Sequence, residues 1–260
     1  MKSAMIICAI AGLAGSAQAG LITTRTEGNV NATRAADNVL SANEYGAGNT
    51  QSYAGNGATG FGGVVGNSTL YMGTSSTNLQ IGWQPGADLT NNLFAIYFNV
   101  NGGGTITTDL ANDVTDSGRR MATEPYGAGS LNYAIPVQYA LVFGDFGAVL
   151  FQLTTTGGIN FVAPFFGGAG GSGNNFREVS IAWSSIGGGL GSYIDFFTLY
   201  ANNSFLSNEG HPSAFFSGNP SGASTPPATI TLNDFNRFIP TPGAMALLGL
   251  GGLVAGRRRR

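Results

Sequence analysis

Apolar and polar positions along this chain alternate in short runs with a period of two, and helical periodicity is nearly absent. Asn78 to Trp83 sets Leu79, Ile81 and Trp83 on one face, and Arg177 to Trp183 does the same with Val179, Ile181 and Trp183. Alternation of this kind predicts strands. Thr69 to Gly73, Phe161 to Phe166, Tyr193 to Tyr200 and Thr229 to Leu232 are further candidates. Leu93 to Val100 is a strong apolar strand that stops at Asn101-Gly102-Gly103-Gly104. Val137 to Phe143 and Ala148 to Leu153 flank Gly144-Asp145-Phe146-Gly147, a hairpin signal. The polar stretch from Asp109 to Ser130 reads as a long loop, and residues 20–63 carry only weak strand signals. The expectation is an all-β domain over residues 20–238, with about eight to twelve short strands. They would form two packed antiparallel sheets, a β-sandwich of jelly-roll or Ig-like type.

The two ends break this pattern. Lys2, the apolar run Ala4 to Gly15 and the small-x-small step Ala17-Gln18-Ala19 predict a signal peptide over residues 1–19, cut before Gly20. At the other end, Pro240 and Pro242 stop regular structure. Gly243 to Gly256 is then mostly Ala, Leu and Gly, and Arg257, Arg258, Arg259 and Arg260 close the chain. As a single apolar helix those 14 residues reach about 21 Å, short of the roughly 30 Å of hydrocarbon in a bilayer. The arginines would stay on the cytoplasmic side, leaving the bulk of the protein outside.

The segment Ile239-Pro240-Thr241-Pro242-Gly243 through Arg260 resembles the PEP-CTERM sorting signal of bacterial envelope proteins, in which a Pro-Glu-Pro-like motif precedes a short apolar helix and a basic cluster. Thr241 stands where that motif has Glu. The resemblance implies that Pro240, Thr241, Pro242, Gly243 and the four arginines, residues 239–260 in all, are read by an exosortase. Cleavage near the motif and release or attachment at the surface would follow. Membrane contact through the C-terminal helix is the second implied partnership.

Composition sharpens the picture. Only 9% of residues are charged, against about 25% in ordinary domains, so Asn, Ser, Thr and Gly must cover the surface. Between Gly20 and Pro242 there are 6 Arg and 13 acids, a sum of −7, which argues against a nucleic-acid partner. The only Cys is Cys8, the only Lys is Lys2 and the only His is His211. A mature chain from Gly20 therefore has no Cys nucleophile, no Schiff-base or isopeptide Lys, and no Cys or multi-His zinc site.

Three stretches, Asn91 to Phe98, Glu178 to Gly187, and Ile194 to Leu199 leading into Ser207-Asn208-Glu209-Gly210-His211-Pro212, are together similar to the β-sandwich of DOMON-like domains and family 9 carbohydrate-binding modules. Ile186 replaces the usual Leu of the Trp-Ser-x-Leu-Gly step.

Four arrangements are candidates for chemistry. Gly168 to Gly173 fits G-x-G-x-x-G, but an alternating strand follows it where a nucleotide site needs a helix. His211 with Glu209 and Ser207 or Ser213 has the residue types of a hydrolase, against the alternative of a surface turn at Pro212. Asp109, Asp113 and Asp116 supply oxygens that suit calcium, against a solvated acidic loop. Trp83, Trp183, Tyr71, Tyr97, Tyr139 and Tyr200 could stack on sugars or fill the core. The reading that results has no catalytic residue, metal or cofactor. It is a non-enzymatic exported protein, structural or adhesive within exopolysaccharide, with a cell-surface carbohydrate-binding module as the alternative.

Overall fold

The computed structural model describes residues 20–27, 34, 36–48, 50–57, 62–89, 91–110, 115–124, 130–154, 158–165, 173, 175–202, 206–213 and 229–240. Over these the protein is all-β apart from one short helix and a 3-10 turn. The elements in order are β1 (Leu21–Thr26), β2 (Ser52–Ala54), β3 (Thr69–Thr74), β4 (Asn78–Gln84), β5 (Asn92–Val100), β6 (Ile106–Thr108), α1 (Ser117–Thr123), β7 (Ser130–Val137), β8 (Tyr139–Gly144), β9 (Gly147–Thr154), β10 (Gly158–Phe165), β11 (Arg177–Ala182), the 3-10 turn Trp183–Ser185, β12 (Ile194–Asn202), β13 (Thr229–Thr231) and β14 (Phe235–Ile239).

A seven-stranded sheet, in the order β1-β14-β12-β5-β8-β9-β10, forms the middle of the molecule. Its central strands are buried on both faces, and alternation decides which residue faces which way. Phe94, Ile96 and Phe98 of β5, with Phe196 and Tyr200 of β12, join one core. Leu93, Ala95 and Tyr97, with Phe197 and Leu199, join the other. The first core is closed by the four-stranded sheet β11-β4-β3-β2, whose Leu79, Ile81, Trp83, Val179 and Ile181 face it, with Trp183 from the 3-10 turn that follows β11. Trp83 stacks on Phe94 at 4.0 Å between ring centroids. The second core is closed by α1 and the three-stranded sheet β13-β7-β6. The expected pair of packed, mainly antiparallel sheets is therefore present in a β-sandwich-like body, and a third layer lies outside it.

Two expectations are corrected. The stretch Asp109 to Ser130 is not simply loop, because it holds α1. Asp116 caps that helix, its Oδ1 accepting from Arg119 N–H at 2.8 Å. Ile239, counted with the tail on sequence grounds, is the last residue of β14. Among the described residues no helix is long and apolar enough to cross a membrane. The signal peptide, Thr241, Pro242, Gly243 and Arg257 to Arg260 lie outside the described residues, as does the expected helix of residues 243–256.

The outer face of the four-stranded sheet is covered by a strap, Arg34 with residues 36–48. Tyr45 of the strap packs on Tyr71 and Phe176. Gly82 makes this possible, since a Cβ there would lie 2.6 Å from Phe176 Cζ and 2.7 Å from the Tyr45 hydroxyl. Both rings are buried and have nowhere to retreat. Gly82→Ala is expected to cost about 1–3 kcal/mol through overpacking, read as a lower urea midpoint with an unchanged slope.

Candidate functional site

In a protein so poor in charge, seven charged side chains are nevertheless buried among the described residues: Glu27, Arg34, Glu44, Arg177, Glu178, Asp195 and Glu209. Each has bonding partners that account for its position. The Glu27 carboxylate accepts from Thr74 N–H at 2.9 Å, from the Thr74 hydroxyl, and from Arg34 at 3.2 Å. Burial raises its pKa against the pull of Thr74 and Arg34. Glu178 pins the strap, accepting from the Tyr45 hydroxyl at 2.6 Å and from the N–H groups of Asp37 and Asn38. Burial likewise raises the Glu178 pKa. Asp195 and Arg237 face each other across β12 and β14 and form a two-pronged pair at 2.6 and 2.8 Å. Arg177 donates to the carbonyls of Gly144 and Gly173.

The His211 region is built the same way, and it is no surface turn. His211, Glu209 and Ser207 are all buried. Glu209 accepts from Gly63 N–H and, at 2.8 Å, from Val65 N–H, so its carboxylate ties the 62–66 turn to the loop after β12. His211 N–H donates to Thr198 Oγ1 at 2.8 Å, and Thr198 Oγ1 lies 3.1 Å from Nδ1. Nε2 lies 3.3 Å from Ser68 Oγ, which donates to Val65 O at 2.7 Å. One proton arrangement satisfies every group: the Thr198 hydroxyl donates to Nδ1, and Nε2–H donates to Ser68. In that tautomer Nε2 carries the proton and cannot accept the one on Ser68, so the pair has no base for nucleophile activation. Burial lowers the His211 pKa to about 3, which keeps the ring neutral. Ser213 donates instead to Asp234.

The other candidates separate as well. Trp83, Trp183, Tyr71, Tyr97, Tyr139 and Tyr200 are all buried and form core, so they offer no sugar-stacking face. Asp109 accepts from Leu131 N–H, Asp116 caps α1, and Asp113 lies outside the described residues. Among the described residues no three His, Cys, Asp or Glu side chains lie together as metal ligands. Of the Gly168 to Gly173 run only Gly173 is described; its N–H donates to Asp88, and β11 follows where a nucleotide site requires a helix.

What sequence reasoning missed is a cleft at the β10 edge. Phe151 and Phe161 are paired across β9 and β10, on the face of the large sheet that α1 covers. Phe151 is buried, but Phe161 is 57% exposed, because α1 ends short of it. A register shift between Phe161 and Ala163 marks a bulge, a device that re-aims neighbouring side chains. Phe146, at the tip of the β8–β9 hairpin, and Val149 complete an apolar floor. Asp116, Ser117 and Arg119 form the polar rim of a cleft of about 320 Å³. The one sequence signal was Phe146, an aromatic in a hairpin turn where a polar residue is usual.

No protein-family model matches the chain, and no curated protein matches it.

Proposed function

We propose that the chain is an exported surface protein sorted through its tail, with a sandwich-like body that is structural or adhesive within exopolysaccharide and not enzymatic. One observation carries the reading. The first and last described strands lie next to the two expected sorting segments. β1 starts at Leu21, just after the expected cut, and β14 ends at Ile239, just before Pro240. The two strands pair in parallel, from Leu21 with Phe235 to Thr26 with Ile239. Gly20 O accepts from Phe235 N–H, and Gly20 has φ +93° with no room for a Cβ beside Asn233 O. Both the expected leader (residues 1–19) and the expected anchor helix can therefore be handled by a membrane enzyme without opening the body. The bonding of His211 and of the buried acids within the fold supports the non-enzymatic part.

Fractionation in a host with an exosortase tests this. N-terminal analysis of the exported chain is expected to start at Gly20, and retained Met1 would overturn export. Pro240→Ala with Pro242→Ala is expected to insert in the membrane but stay unprocessed. Replacing Arg257 to Arg260 by Ser is expected to weaken retention, since each Arg costs about 2.5–3.5 kcal/mol at a helix centre. Wild-type release of the proline variant sinks the sorting reading. A carbohydrate-binding module is the second reading, and the open aromatic cleft at β10 favours it.

A further inference from the structure

We propose that the Phe146–Phe151–Phe161 cleft binds a neutral pyranose ring of a polysaccharide, with Phe161 as the exposed platform. This rests on the matrix-associated reading and adds to it a site and a ligand class.

The volume of about 320 Å³ is at the small end of ligand sites, which span roughly 300–1,000 Å³. Its lining is divided, with four apolar side chains on the floor and a carboxylate, a hydroxyl and a guanidinium on the rim. A hydrocarbon would cover the floor but desolvate the rim without replacing its hydrogen bonds, which is costly. A fully polar ligand would gain nothing from the phenyl rings. A sugar ring has both characters. Its C–H face can lie on an aromatic face, which is the electron-rich side of the quadrupole, and its hydroxyls point outward to donors and acceptors.

Charge narrows the class. Asp116 and Arg119 sum to zero at the rim, and residues 20–242 carry −7, so a uronic-acid polymer would be repelled as it approached. The strand edge argues against a peptide. Adding a strand to β10 needs a regular ladder, but β10 has the bulge after Phe161 and a proline at Pro164, which has no N–H.

Affinity electrophoresis tests the proposal, with the full chain in phospholipid nanodiscs and gels containing dextran, mannan or galactan, or alginate as the acidic control. The wild type is expected to be retarded by at least one neutral polymer and not by alginate. Phe161→Ala is expected to weaken that retardation about tenfold with its melting temperature unchanged, because the ring is more than half exposed. Ile22→Ala removes an equally exposed apolar side chain (56%) from β1, the opposite edge strand, and is expected to change nothing. Retardation by no neutral polymer overturns the proposal. So does equal retardation of Phe161→Ala, or a preference for alginate. The result is separable from sorting, because binding is read on purified chain and sorting by fractionation in cells.

Discussion

Lowering the pH from 7 to 4 is expected to narrow the stability gap between the wild type and a His211→Gln variant by about 3 kcal/mol. The folded protein holds His211 at a pKa of about 3, through burial, whereas an unfolded histidine titrates near 6.5. Stability from the neutral ring is fully present above the unfolded pKa. It is lost as pH falls through the window from 6.5 towards 3, at about 1.4 kcal/mol per unit. Three carboxylates run the other way, two of them buried and Asp109 half-buried. Glu27, Glu178 and Asp109 have raised pKa values, so their share is present at low pH and is lost as pH rises through the folded values. Wild-type stability alone would therefore mix opposed slopes. The difference between wild type and His211→Gln isolates the imidazole, because the carboxylates are common to both. Urea unfolding at pH 7, 6, 5 and 4 gives that difference, and a pH-independent gap would show that His211 is not buried in its neutral form. A pH-dependent affinity for glycan, by contrast, is not expected from His211, which lies in the core and not in the β10 cleft.

The strands were legible because a period of two survives wherever one face is buried. Leu79, Ile81 and Trp83, then Val179, Ile181 and Trp183, fall on the face the alternation assigns them, and all six reach one core. The β8–β9 hairpin closes with Gly144 opposite Gly147, as its turn residues indicate. The third layer was legible only at β13, where Thr229 to Leu232 gave a strand signal. α1 is only seven residues long, too short for a helical period to stand out, and it opens on the polar Asp116-Ser117. β1 and β2 were weak in sequence because they are edge strands, one with alternating exposed residues and the other three residues long. The burial of charge was the part that composition could not give. Few charges suggested a surface of Asn, Ser, Thr and Gly, and said nothing of which charges are buried. Composition cannot show that Glu27, Glu178 and Glu209 each anchor distant backbone amides. Those partners are 47, 140 or more residues away in sequence. The candidate aromatics are core because Trp and Tyr sit in apolar alternation, while the exposed ring is Phe161, which pairs with Phe151 at the β10 edge where α1 ends short of it.

The same buried polarity sets the other large expected effect. Arg34→Ala should lower the unfolding free energy by about 3–5 kcal/mol, the range found when one partner of a buried ion pair is removed. Arg34 donates from Nε to Glu44 O at 2.7 Å, and from one terminal nitrogen to Glu27 Oε1 and to Thr74 O, each at 3.2 Å. Its guanidinium also sits 4.7 Å from the centre of the Tyr45 ring. A Cβ on Gly73 would lie 1.9 Å from that terminal nitrogen, so the sheet has left space for the group. Truncation removes the cation facing Glu27, leaves two carbonyls short of a donor, and empties the space over Gly73. The strap should then loosen as a unit, because what still pins it is Glu178, through Tyr45, Asp37 and Asn38, and the Gln80 side chain on Arg34 O. Hydrogen exchange is expected to quicken over residues 36–48 while the central strands β5 and β12 keep their protection. Replacing both partners, Glu27→Met with Arg34→Met, should recover part of the loss, since an apolar pair avoids an unpaired buried charge. The recovery is expected to be incomplete, because Glu44 O and Thr74 O still lack their donor. Urea midpoints for the three chains decide the matter, and an Arg34→Ala protein within about 1 kcal/mol of wild type, the value of an exposed pair, would mean that the strap does not depend on this cation.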